Sequence, residues 1–411
     1  MQDNRDLMRR LPWVILIAGS ATVLLAFGLR ASLGLYLKPM SIDLGWERGV
    51  FALAMASQNL LWGVFQPFAA AISEKWGTGR VVAGGGVLYG IGLVIMAVSS
   101  ASEPGLFHLG AGFFIGLAQS ASALGVVLGA VGRAMPPERR TFGLGIVTAA
   151  GAAGQFTVVP LGQELLEAFG WSQSLFMLAA MTAMIVACAP LLRNNAETAT
   201  QTGPQLSLGQ SLNLARRHKG FWLLTIGFMV CGFQISFMAV HLPAYITDLG
   251  FSADLGAWSL AVIGLFNVVG SYAAGLLGDR KRKTHLLSYL YIARSILVTA
   301  FVLLPPSPAS VIVFSAVMGL LWLSTVPLTS GIVAQIFGPR YMATLFGIVF
   351  FTHQVGSFVG VYFGGVIYDQ TGSYDPIWWA SVIFGLIAAV MHWPIDDRSL
   401  QTAAASPAPA E

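Results

Sequence analysis

Charge is scarce in this chain. Only 10% of the 411 residues are Asp, Glu, Lys or Arg, against roughly 25% in an ordinary soluble domain. That excludes a soluble enzyme and a nucleic-acid-binding module, both of which need a charged, hydrated surface. Cysteine is scarcer still. Cys188 and Cys231 are the whole supply, too few for a disulfide framework or a thiolate metal cluster, so both read as small packing residues. No nucleophile–base pairing and no metal-ligand spacing stands out, so neither enzymatic chemistry nor a metal or cofactor is expected. The long apolar stretches hold no carboxylate at all and two basic residues, Arg30 and Arg294.

What the chain does have is apolar length. A membrane-spanning helix takes about 20 mostly apolar residues, and twelve such stretches occur. Six run from Trp13 to Leu37, Val50 to Ile72, Val81 to Val98, Leu106 to Val131, Phe142 to Gln163 and Ser174 to Leu192. Six more run from Phe221 to Ile246, Leu255 to Leu277, Leu286 to Leu304, Val311 to Phe337, Met342 to Tyr368 and Ile377 to Trp393. Helices are expected, because a lipid-embedded backbone must satisfy its polar groups within the segment.

Basic residues orient these spans. Of the 22 Lys and Arg, Lys38 and Arg48 alone fall in loops on one side, and eighteen fall on the other. Cytoplasmic loops retain positive charge, so both termini are expected in the cytoplasm of a cell with a bacterial-type inner membrane. The first span follows Arg9-Arg10 but is too long for a signal-peptide core, so it reads as a retained helix.

The halves repeat. Asp43-Leu44-Gly45-Trp46 recurs as Asp248-Leu249-Gly250-Phe251, 205 positions on, and Glu74-Lys75 as Asp279-Arg280. Gly154, Phe156, Gly162, Glu167 and Gly170 recur as Gly356, Phe358, Gly364, Asp369 and Gly372, 202 positions on, as does Pro137 as Pro339. The expected domains are an N-terminal six-helix bundle (residues 1–192), a cytoplasmic linker (193–219) with a short amphipathic helix near Leu206–Leu214, a C-terminal six-helix bundle (220–395) and a disordered tail (396–411).

Two six-helix halves with an acidic–basic pair after the second and eighth spans resemble the major facilitator superfamily. That family's loop motif is matched at Ala70, Glu74, Lys75, Gly77 and Arg80, and its opening again at Gly275, Asp279 and Arg280. The resemblance implies a twelve-helix transporter in which Glu74, Lys75, Arg80, Asp279 and Arg280 close a cytoplasmic gate. Gly28-Leu-Arg30-Ala-Ser-Leu-Gly34, Lys38-Pro39 and Asp43-Leu-Gly-Trp46 are similar to monocarboxylate transporters and oxalate–formate exchangers, and Arg30 matches their first-helix cation. Arginine suits that role, since its planar fork grips a carboxylate with two charge-assisted hydrogen bonds.

The chain departs from that pattern twice. The eighth span reads Asn267-Val-Val-Gly-Ser271 where monocarboxylate carriers have an Asp and an Arg, and the eleventh has His353-Gln354 where oxalate exchangers have a lysine. A small monoanion, or a larger organic acid held partly by neutral groups, fits better than a dianion such as oxalate. Gln119, Gln155, Gln234, Asn267, Trp322, His353 and Gln354 join Arg30 as candidate substrate contacts, and Arg294 is either a structural charge or a further contact. His353 is also the candidate proton carrier, its ordinary pKa lying near 6.5. Stripes of glycine (Gly112 and Gly116; Gly356, Gly360 and Gly364) suit either sliding halves or tight packing.

The expected activity is alternating-access transport of a small organic anion, a monocarboxylate, by a monomer in the bilayer, with H+ as co-substrate. The competing expectation is proton-driven efflux of hydrophobic compounds. It is weakened because Gly151–Pro160 lacks the adjacent Gly-Pro pair of drug antiporters and no carboxylate is embedded in a span.

Overall fold

The computed structural model describes residues 2–135, 140–192, 208–337 and 342–398, and no strand occurs among them. Ten segments are long and apolar enough to cross a membrane. One of these, Gly145–Leu192, turns at Gly170, whose φ of 75° and ψ of 172° are not helical. A further helix, Arg48–Trp76, is 29 residues long but less apolar, because Gln58, Asn59 and Gln66 interrupt it. The twelve-span expectation is met only by counting that turn as the link between two crossings and Arg48–Trp76 as a crossing. Spans are named below in that order.

Within the halves, the first span packs on the fifth and the seventh on the eleventh. Between halves, the second meets the eleventh and the fifth meets the eighth. The sequence repeat has a mechanical cause. Glycine is the residue that accepts a left-handed backbone without strain, and Gly45 (φ 64°) and Gly250 (φ 87°) close equivalent helices, as Gly170 and Gly372 (φ 70°) do. Gly154 lies against the carbonyl of Leu24 and Gly356 against that of Met229, the same contact at the two expected offsets.

The glycine stripes pack rather than slide. Gly356 and Gly360 press on the Met229 and Phe233 carbonyls and Gly364 on His241, all within the C-terminal half. Gly112 and Gly116 face Ala54 and Gln58 of the second span, within the N-terminal half. Gly154→Val is expected to lower stability by at least about 1–3 kcal/mol through overpacking, read as a lower melting temperature in detergent. Gly145→Ala, where an added methyl meets nothing within 4 Å, is the neutral control.

Two spans break midway. The fourth interrupts between Ile115–Ser122 and Leu124–Ala134 at Ala123 (φ −83°, ψ −164°). The tenth interrupts between Pro308–Leu321 and Thr325–Phe337. Pro327 accounts for the second break, since it lacks an N–H and its ring clashes with the carbonyl four residues earlier, that of Leu323.

The amphipathic linker helix runs Leu208–Arg217, and the indole N–H of Trp222 donates to the Arg216 carbonyl at 2.9 Å. Residues 396–398, expected to open the tail, are placed. Arg282 pairs with Asp397 at 3.5 Å, and Gln335 donates to the Asp397 carbonyl at 2.9 Å. The expectations for linker residues 193–207, for Pro137 and Pro339, and for the tail from 399 onward fall outside the described residues.

Candidate functional site

Arg30 lies near the end of its helix, Gln2–Ser32, and points between the halves rather than outward to headgroups. Its guanidinium donates from Nη2 to the Asn59 side-chain oxygen, and its carbon sits 5.3 Å from the centre of the Trp62 ring. Among the described residues Nε is buried without a hydrogen-bond partner. A gap of about 10 Å³ adjoins it, lined by Met55, Gln58 and Asn59 of the second span and Ala239 and Val240 of the seventh. That is room for about one water.

Asn59 carries the contact onward. Gln354 of the opposite half donates to the Asn59 backbone carbonyl at 3.0 Å, and the Gln354 side-chain oxygen lies 3.0 Å from Nδ1 of His353. Three predicted residues, Arg30, Gln354 and His353, are thereby joined in one polar chain across the halves. Asn59 was not among the predicted residues. Its signal was the paired amides Gln58-Asn59 at mid-span, in a long helix less apolar than the ten membrane-crossing segments.

The remaining predicted residues divide. Gln155 bridges the halves, donating to the Leu260 carbonyl at 2.8 Å. Gln119 is fully buried within the N-terminal half, bonded to the Ala26 carbonyl at 3.3 Å and the Tyr89 hydroxyl at 3.1 Å. Its amide oxygen has no partner among the described residues. Gln234 donates to the Ser381 carbonyl at 2.9 Å, inside the C-terminal half.

Arg294, Asn267 and Trp322 meet at the broken tenth span. The guanidinium of Arg294 is 1% exposed and donates to the carbonyls of both Leu321 and Trp322. It also reaches the Gln234 side-chain oxygen at 3.4 Å and the Cys231 sulfur at 3.5 Å. Asn267 accepts from the Leu323 N–H at 3.1 Å. A helix end leaves carbonyls unsatisfied and carries partial negative charge, so a cation there is a repair. Trp322 contributes its backbone, and its side chain is buried.

Of the expected gate residues on the basic face, Lys75, Arg80 and Arg280 are exposed. Arg80 donates to the carbonyl of Trp76 at 3.5 Å. The side chains of Glu74 and Asp279 lie outside what the structure describes.

At the opposite face the halves are latched, which the sequence reading missed. Arg48 grips Asp248 with two bonds of 2.6 and 2.9 Å, and Lys38 reaches the same carboxylate at 3.1 Å. Asp369 accepts from the backbone N–H groups of Arg48 and Gly49 at 2.9 and 2.6 Å, capping that helix from across the interface. The Tyr368 ring lies 3.7 Å under the Arg48 guanidinium. Arg48 also donates to the Tyr374 hydroxyl at 2.9 Å, and burial pushes that hydroxyl above its ordinary pKa, so it stays protonated. Lys38 and Arg48 are the loop cations expected on this face, and both are used by the latch. Asp43, the repeat of Asp248, instead accepts from the Trp171 indole at 2.7 Å within its own half.

A cavity of about 420 Å³ lies beside the latch, between Leu35, Lys38, Gln163, Trp171, Pro243 and Thr247. It contains none of the predicted binding residues.

Two packed helical bundles, latched by charge at one face and holding a half-buried guanidinium between them, have the layout of a membrane carrier. Residues 19–361 match the family model of the Major Facilitator Superfamily, and the chain belongs to that superfamily. It is 28% identical over 381 residues to monocarboxylate transporter 11 of Mus musculus, covering 88% of this chain and 82% of that one. It is 24% identical over 410 residues to the uncharacterized MFS-type transporter YcxA of Bacillus subtilis (strain 168), covering 95% and 96%. Among solved structures, a bacterial homolog of the human lysosomal transporter Spinster superposes with a TM-score of 0.74 at 14% identity, covering 97% of this chain and 99% of that one. The D-xylose–proton symporter gives 0.71 at 14% identity, covering 94% and 99%; both establish the fold. The expected resemblance to monocarboxylate transporters is borne out by these relatives.

Proposed function

We propose that this protein carries a small organic monoanion across the inner membrane by alternating access, with a proton as co-substrate. One observation carries the reading. Arg30 is a guanidinium between the halves whose side-chain partner is a neutral amide and whose Nε is free. Asn59 stands where one carboxylate oxygen of the substrate would sit. Relatives named as monocarboxylate transporters support the substrate class.

Coupling follows from the polar chain. An anion that takes the Asn59 side chain off Arg30 shifts the second span against Gln354, which holds the Asn59 backbone carbonyl and contacts His353, the proposed proton carrier. Closure of the latch at Asp248 seals the outer side, and the basic cytoplasmic face is then the open one. Glu74, Lys75, Arg80, Asp279 and Arg280 come together in the alternate state, when the latch opens.

Protein in liposomes is expected to accumulate a labelled monocarboxylate when the outside is made more acidic. Transport of neutral lipophiles with no response to monocarboxylates would overturn the proposal.

Asp248→Asn is expected to favour the outward-open state. The contact is charge-assisted but part-exposed at Asp248, so solvent screening holds it to about 1 kcal/mol, and 1.4 kcal/mol is tenfold in population. A cysteine at Ala244, in a background with Cys188 and Cys231 replaced by Ser, should label several-fold faster, about fivefold, with a membrane-impermeant maleimide.

A further inference from the structure

The guanidinium of Arg30 does not stand alone; aromatic rings from three spans are linked to it. Trp62 lies against it at 5.3 Å. Phe27 meets the same indole edge-on at 6.0 Å, and Phe350 of the opposite half meets it at 5.6 Å and 72°. Phe350 in turn stacks on His353 at 5.6 Å and 6°. The ring contacts therefore run from Arg30 to His353 by a second route, parallel to the polar chain through Asn59 and Gln354. The indole N–H of Trp62 is already bonded to Gln66 at 2.7 Å, so the indole offers a partner its faces and edges only. Phe27 and Phe350 are half-buried, so packing has not consumed their surfaces.

We propose that the anion is an aryl monocarboxylate, its carboxylate on Arg30 and its ring between Trp62 and Phe350. This rests on the monoanion reading above. Trp62 and Phe350 belong to different halves and touch edge to face, so separating them by one ring thickness opens a slot beside a gap otherwise fit for one water. A planar ring entering that slot recovers edge-to-face contacts on both sides, which a saturated ring of the same size lacks. It also joins the two halves through itself, so that binding and closure become one event.

The test compares three probes in a thermal-shift titration of the purified full chain: benzoate, cyclohexanecarboxylate and benzyl alcohol. Wild type is expected to be stabilised by benzoate at roughly tenfold lower concentration than by cyclohexanecarboxylate, and not by benzyl alcohol. Trp62→Leu is expected to bind both acids weakly and equally, and Phe350→Leu to do the same if the first variant folds poorly. Equal response of wild type to the two acids overturns the aryl assignment and leaves the monoanion reading standing. Response to none of the three overturns the aryl assignment and leaves the monoanion reading to the liposome assay, whereas response to benzyl alcohol alone overturns both.

Discussion

Arg30→Gln is expected to reduce monoanion uptake by at least about a hundredfold while leaving the protein folded. Each hydrogen bond to a charged group contributes about 1.5–3 kcal/mol, and a guanidinium makes two to one carboxylate. Losing both removes about 3–6 kcal/mol, which is two to four decades in affinity. Stability moves the other way. An arginine within a span costs about 2.5–3.5 kcal/mol on insertion scales, and glutamine at this position can still meet Asn59. A melting temperature at or above that of wild type, combined with lost uptake in liposomes, is the expected pair of results. Arg30→Lys keeps the charge without the fork and should fall between. Wild-type uptake by Arg30→Gln would remove the binding role assigned to this residue.

The opposite pattern is expected at the second embedded arginine. Arg294→Leu strips partners from the carbonyls of Leu321 and Trp322 and from the Gln234 amide oxygen. Each buried polar group left unsatisfied costs about 1–3 kcal/mol, so a loss of about 3 kcal/mol or more is expected, seen as early melting or poor yield. The concentration of anion giving half-maximal uptake by the surviving folded protein should be unchanged, because the guanidinium is occupied by backbone. A weakened substrate affinity with normal melting would reassign Arg294 to the transport site.

The contrast between these two residues shows what could be read from sequence. Duplication was legible because backbone geometry demands glycine at fixed places: Gly45 with Gly250, Gly170 with Gly372, Gly154 with Gly356. Arg30 was legible because its cost in lipid demands a reason. The direction of other mid-span polar residues was not legible. Gln234 and Asn267 sit at depths that suit a ligand, yet the rotation of their helices, set by glycines pressed on neighbouring carbonyls, turns them into the C-terminal half. Arg294 needed the break at 322–324, and Pro327 was the available sign of it. The latch was hidden for a different reason. Lys38, Arg48 and Asp248 looked like ordinary loop charges, and only folding brings them together from positions about 200 residues apart.

The two interrupted spans occupy equivalent places in the duplicated halves, but they are mended differently. In the tenth, Arg294 and Asn267 staple the break from two neighbouring helices. In the fourth, the bonds next to Ala123 come from the helix itself, through the Ala123 N–H to Gln119 and the Ser122 hydroxyl to Ala118. A joint pinned from neighbouring helices is stiffer than one held by its own helix alone. The two halves thus repeat the position of the break but not its bracing: neighbouring helices splint the C-terminal one, and the N-terminal one leans on its own preceding turn.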